Sequence, residues 1–139
     1  EIFKGYNLVV VSHCTGFREP GQQELTEENR RRIEENGGKI FTGTHVFMGV
    51  ERAIRSKFGT AYPAEIMAQT LRLFGEGMKV AVEIVAMAAD AGLIPADREV
   101  ISIAGTGRGA DTAIVVQPAN SSRIFDMVIK EIIAKPRSK

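Results

Sequence analysis

Apolar positions along this chain fall into two patterns, and their succession predicts strands alternating with helices. Tyr6 to Ser12 carries Leu8-Val9-Val10-Val11, a continuous apolar run of the kind found in strands buried on both faces of a parallel sheet. After a loop holding Gly16, Pro20 and Gly21, Thr26 precedes Glu27 and Glu28 as an N-cap with an acidic first turn. With Gly37 as the residue beyond its end, a helix is predicted from about Thr26 to Asn36. Lys39-Ile40-Phe41-Thr42 then reads as a short strand, so the first third of the chain is a βαβ unit.

Beyond Gly43-Thr44-His45, Val46, Val50, Ala53, Ile54 and Phe58 recur at helical spacing, interrupted by Gly49. Pro63 suits the first turn of another helix, whose apolar residues Ile66, Met67, Leu71 and Phe74 share a face, and Gly75-Glu76-Gly77 breaks the pattern. From Met78 to Ala91 the only ionisable residues are Lys79, Glu83 and Asp90. At 100° per residue these lie within about 40° of one another, which predicts a helix buried nearly all round with one polar seam. Glu99 to Ala104 and Thr112 to Gln117 follow as strands. The few residues between them require antiparallel neighbours. Ile124-Phe125 predicts a turn of helix, and Val128 to Ala134 an edge strand closed by Pro136.

The order of elements predicts one α/β domain with a mostly parallel, mixed sheet ending in an antiparallel hairpin. At 139 residues and 44% apolar composition the chain suits a single core. A net charge of only +1 gives no nucleic-acid or acidic-membrane footprint. Arg30-Arg31-Arg32 sits among Glu27, Glu28, Glu34 and Glu35, where Glu27–Arg31 and Glu28–Arg32 have the spacing of helix-surface ion pairs. The single cysteine, Cys14, allows no intramolecular disulfide, no Cys/His cluster has zinc-ligand spacing, and a reducing cytoplasm is expected. No apolar run approaches the roughly 20 residues of a membrane span.

The most suggestive stretch is Val100 to Asp111. Gly105, Gly107 and Ala110 fit the dinucleotide fingerprint G-x-G-x-x-G/A after a strand. That fingerprint needs a helix to open at its third small residue, whereas Thr112-Ala113-Ile114-Val115-Val116-Gln117 is a β-branched run. The segment therefore reads as strand, glycine loop, strand. Backbone amides of Gly107 and Gly109, the Arg108 fork and the hydroxyls of Thr106 and Thr112 offer a phosphate nest. The plainer reading is a hairpin tip with a surface arginine, where Asp111 makes the turn and the glycines supply φ > 0.

Ligands of α/β sheets collect at the C-terminal ends of parallel strands. Three loops leave such ends: His13-Cys14-Thr15-Gly16, Gly43-Thr44-His45 and Gly105 to Asp111. Their hydroxyls, glycine amides, imidazoles and arginine suit a phosphorylated small molecule or a mononucleotide. Candidate binding residues are thus Thr15, Gly16, Thr44, His45, Gly105, Thr106, Gly107, Arg108, Gly109, Ala110, Asp111 and Thr112. His13 and Cys14, as adjacent residues, point apart, so a nucleophilic pair between them is disfavoured. His45 could approach Cys14 across strands, the plainer alternative being a buried cysteine and an ordinary loop histidine. Lys79 and Glu83 read as a helical i, i+4 pair rather than a catalytic dyad.

The run from Met78 to Asp97 followed by Glu99 to Pro118 resembles the helix-to-hairpin segment of the pyruvate kinase C-terminal domain. The stretches Val46 to Ile54 (V-F-M-G-V-E-R-A-I), Glu83 to Pro95 (E-I-V-A-M-A-A-D-A-G-L-I-P), Arg108 to Ala113 (R-G-A-D-T-A) and Glu131 to Arg137 (E-I-I-A-K-P-R) resemble a stand-alone archaeal family with this domain. The similarity spans nearly the whole chain. It implies a three-layer α/β/α domain without phosphotransferase activity, because the catalytic barrel of pyruvate kinase is absent. It points to Gly105 to Thr112 as a loop that helps hold a phosphorylated effector, and to flavin mononucleotide as a cofactor of some relatives. It also implies that residues 1–139 are one domain lacking an N-terminal βαβ stretch that would wall the other side of the phosphate site, with Glu1 internal to a longer chain. Three functions follow as expectations. The chain is a binding domain for a phosphorylated ligand, a flavin-dependent oxidoreductase or other small-molecule enzyme using His45, Cys14 or Glu83, or a ligand-free oligomerisation module. A homo-oligomer is among its expected states, and neither nucleic acid nor membrane is an expected partner.

Overall fold

The computed structural model describes residues 5–107 and 109–137. β1 (Val9–Ser12) and β2 (Lys39–Thr42) pair in parallel across α1 (Glu27–Glu35), as a βαβ unit requires. α1 starts where the Thr26 hydroxyl accepts from the Asn29 amide at 3.3 Å, and its C-cap Asn36 is followed by Gly37 at φ +79°. The charges on α1 pair differently from expectation. Arg30 reaches Glu27 and Glu34, and Arg31 reaches Glu35, all at 3.9 Å on the solvent side, in place of Glu27–Arg31 and Glu28–Arg32. Several exposed carboxylates lie within reach of each guanidinium, and such pairs differ too little in energy for spacing to choose among them.

α2 (Gly49–Phe58) begins three residues later than the apolar spacing predicts, because Val46 to Met48 form a turn and Gly49 takes φ +37°. α3 (Pro63–Leu71) opens on its proline, and Arg72–Phe74 tighten into a 3₁₀ turn. α4 (Glu76–Asp90) is the core helix. Met78, Ala81, Val82, Val85 and Ala86 are buried, and so are Lys79 and Glu83 in its polar seam.

β3 (Val100–Ala104), β4 (Thr112–Gln117) and β5 (Val128–Ala134) form a three-stranded antiparallel sheet, with a turn of 3₁₀ helix at Ser121–Asp126 before β5. Ser102, Ala104, Thr112, Ile114 and Val116 face α4 and are buried, and the Ser102 hydroxyl donates to the Ala81 carbonyl at 2.8 Å. Irregularities in the β4–β5 register place Ile132 opposite Ile114 and Ile129 opposite Val116. Two isoleucines three residues apart thereby continue the apolar row of β4.

The expected mostly parallel sheet is corrected here. Among the described residues the strands form two sheets, one parallel pair and one antiparallel triplet, and antiparallel ladders predominate. Only the β1–β2 link contains a crossover helix within a two-strand span, and the short β3–β4 and β4–β5 links permit nothing but antiparallel return. β1 is accordingly not buried on both faces. With a single neighbour, all four of its residues are half-buried. β3 is not buried on both faces either and alternates, with Ile101 65% and Ile103 45% exposed on its outer face.

Candidate ligand cavity

The loops leaving β1 and β2 at their C-terminal ends meet one side of α2 around a cavity of about 360 Å³. Cys14, Gly16 and Phe17 come from the first loop, Thr44 and His45 from the second, and Gly49, Arg52 and Ser56 from α2. This is the crevice expected of a parallel pair followed by a helix. Gly16 (φ +81°) turns the first loop back, its amide donating to the Gln22 carbonyl at 2.8 Å. A side chain at Gly49 would lie 3.2 Å from the Thr44 methyl, so glycine lets the second loop approach the helix.

Three rings cluster at the mouth. Phe17 stacks on His13 with centroids 3.9 Å apart and faces His45 at 5.2 Å, while the Arg52 guanidinium lies 5.4 Å from the Phe17 centroid. Arg52 is the one cation of the lining, no carboxylate shares it, and among the described residues Arg52 has no salt-bridge partner. The N-cap of α2, Met48, supplies no side-chain bond to the first turn. The first-turn amides and the helix dipole add positive potential beside Gly49, offset in part by Glu51 in the same turn.

His45 joins this cavity to the core. Its Nε2 accepts from the Cys14 backbone amide at 3.3 Å, which leaves the proton on Nδ1, 3.6 Å from Glu83 Oε2. Glu83 also pairs with Lys79 through Oε2 and accepts from the Phe47 amide at 3.0 Å through Oε1. Burial pushes the Glu83 carboxyl up, but His45, the Lys79 charge and the Phe47 amide together outweigh it and hold the group below its ordinary value. Lys79 and Glu83 are thus the expected i, i+4 pair, buried rather than solvated and extended to His45. Cys14 and His45 do approach across strands, through the cysteine's backbone rather than its thiol.

The glycine loop has a different character. The Asp111 carboxylate accepts from the Thr106 amide at 2.9 Å, from the Thr106 hydroxyl, and from the Thr112 hydroxyl at 2.6 Å. The Thr106 and Thr112 bonds hold its pKa down, and slight burial opposes them. A Cβ built at Gly77, in the first turn of α4, would sit 2.7 Å from Asp111 Oδ1 and 2.2 Å from Thr112 Oγ1. The loop therefore sets its own carboxylate beside a helix N-terminus, the place an external anion would otherwise favour.

Of the residues singled out from sequence, Gly16, Thr44 and His45 line the cavity together. Thr15 is exposed beside it, its hydroxyl accepting from Gln23 Nε2 at 3.3 Å. Gly105, Thr106, Gly107, Gly109, Ala110, Asp111 and Thr112 form the separate loop and do not line the cavity, and Arg108 lies outside the described residues. Phe17, Gly49, Arg52 and Ser56 escaped sequence reading. A glycine opening a helix directly after a strand and loop, as Gly49 does after Thr44-His45, was the available signal. Among the described residues, no group of His, Cys, Asp and Glu is placed to hold a metal ion, and no helix is long and apolar enough to cross a membrane. Fold and cavity define a mixed α/β protein with a cationic cleft at the C-terminal ends of its parallel strands. The chain matches no protein-family model.

Proposed function

We propose that this chain is a small-molecule-binding domain of the three-layer, pyruvate kinase C-terminal type, and that its ligand is a phosphorylated molecule with a planar ring, such as flavin mononucleotide. The observation that carries this reading is the pairing of an arginine that has no salt-bridge partner among the described residues with an aromatic cluster in one cleft. Arg52 and the first-turn amides of α2 suit a phosphate, and the Phe17–His45 cluster gives the cleft an aromatic wall for a ring to lie against. The residues present fit flavin mononucleotide in those two respects. A bound flavin would supply redox chemistry, while the chain's own residues hold the phosphate and orient the ring. The sequence of elements supports the fold reading, since a parallel βαβ unit leads to a long buried helix and then an antiparallel hairpin.

Binding is favoured over catalysis by the state of His45, whose free nitrogen lone pair is taken by the Cys14 amide. In this reading His45 braces the cavity wall against α4. The rival location for the phosphate is the loop from Gly105 to Thr112. Calorimetric titration of flavin mononucleotide separates the two. Arg52→Ala should weaken binding by about 1.5–3 kcal/mol, the worth of a hydrogen bond to a charged group, while Thr106→Ala leaves it unchanged. Equal affinity in wild type and Arg52→Ala would overturn the assignment.

A further inference from the structure

A second cavity, of about 160 Å³, adjoins the first and shares Met48 and Arg52 with it. It lies between α2 and α3, and its polar lining is Arg52, Arg55, Arg72, Gln69 and Glu65. Two guanidinium groups of α2, Arg52 and Arg55, and one of the 3₁₀ turn, Arg72, thus belong to one lining that holds a single carboxylate. Glu65 Oε1 accepts from Arg55 at 3.1 Å and from Gln69 at 2.7 Å, so its charge is already committed. Arg72 is held by Glu76 at 2.8 Å, and Glu76 is not part of the lining. Each guanidinium carries five N–H donors, so one carboxylate contact leaves most of them free. Planar forks from α2 and from the 3₁₀ turn suit a tetrahedral oxyanion, which can take bidentate bonds from more than one arginine.

We infer that this second cavity is an anion subsite continuous with the first, and that the chain's full ligand carries two neighbouring anionic groups, as in a nucleoside diphosphate or another pyrophosphate, of which flavin mononucleotide would fill only the first subsite. The inference rests on the cleft around Arg52 being the ligand site. Arg52, common to both linings, takes the first phosphoryl group, and Arg55, Arg72 and Gln69 take the second. The apolar wall of Phe47, Met48 and Ala68 keeps water from one side of the subsite and strengthens those bonds.

Inorganic phosphate and inorganic pyrophosphate, titrated separately by calorimetry at fixed ionic strength, test this without presupposing a ring. Pyrophosphate should bind on the order of tenfold more tightly than phosphate. In Arg72→Gln and in Arg55→Gln that preference should collapse. Arg55 is exposed and Arg72 half-buried, and an unchanged melting temperature without ligand would confirm that either variant is folded. Equal affinities in the wild-type protein, or a preference that survives both substitutions, would overturn the subsite and leave the single-phosphate reading standing. Failure of wild type to bind either anion would overturn both.

Discussion

Glu83 shows how one residue sets the character of the molecule's interior. Its side chain is 2% exposed and that of Lys79 4%, so each charge is tolerated only because the other is present. Glu83→Gln strands a buried ammonium and should cost about 3–5 kcal/mol in urea unfolding, whereas adding Lys79→Met to Glu83→Gln removes that charge, leaves an amide oxygen to accept from Phe47, and should recover most of the loss. Equal destabilisation by the single and double variants would refute the pairing. The Lys79–Glu83 seam was legible in sequence, since helical spacing alone aligns the two. Its link to His45 was not, because that contact is set by where the loop after β2 lands on α4. Acid stability follows from the same residue with a definite sign. Glu83, Asp90 and Asp111 all hold their carboxyl groups below the ordinary range, Asp90 despite slight burial through bonds from Ser121 and Asn120. Their contribution is complete above the unfolded-state values of about 4. It is lost as pH falls from there through the lower folded-state values. Unfolding midpoints in urea should therefore be flat from neutral pH down to about 5 and fall below that, and Glu83→Gln should flatten the decline.

At the scale of elements, close approach decides what propensity alone would get wrong. Alanine is favoured over glycine in a helix by about 1 kcal/mol, so Gly77→Ala in the first turn of α4 looks stabilising by propensity alone. The added methyl would meet Thr112 Oγ1 at 2.2 Å and Asp111 Oδ1 at 2.7 Å, both held in a hydrogen-bonded turn. Overpacking of that kind costs about 1–3 kcal/mol or more. Gly77→Ala should therefore lower the melting temperature, and a rise would show that the β3–β4 loop gives way freely. The strand, glycine loop and returning strand were readable from the β-branched run after Asp111. The role of Asp111 as the loop's internal hydrogen-bond acceptor was not, because a turn aspartate and a ligand-site aspartate look alike in sequence. Nor was the start of α2 legible. Val46 continues the apolar spacing, yet it and Phe47 pack on the core from a turn rather than from the helix.

For the whole molecule, the order of elements could be read from hydrophobic period, because each strand and helix announces itself locally. How the strands divide into sheets could not. Pairing is a choice among partners distant in sequence, and β1 carries an apolar run whether it has one neighbour or two. The cavity belongs to this scale as well. Phe17, His45 and Arg52 come from three segments, and only the parallel pairing of β1 with β2 brings their loops to one end. Isotope-edited NMR titration with flavin mononucleotide tests that claim most directly. Backbone amide shifts should concentrate at Gly16, Phe17, His45, Gly49 and Arg52, with Thr106 and Gly109 unmoved. Shifts centred on Gly105 to Thr112, or none at millimolar ligand, would contradict it.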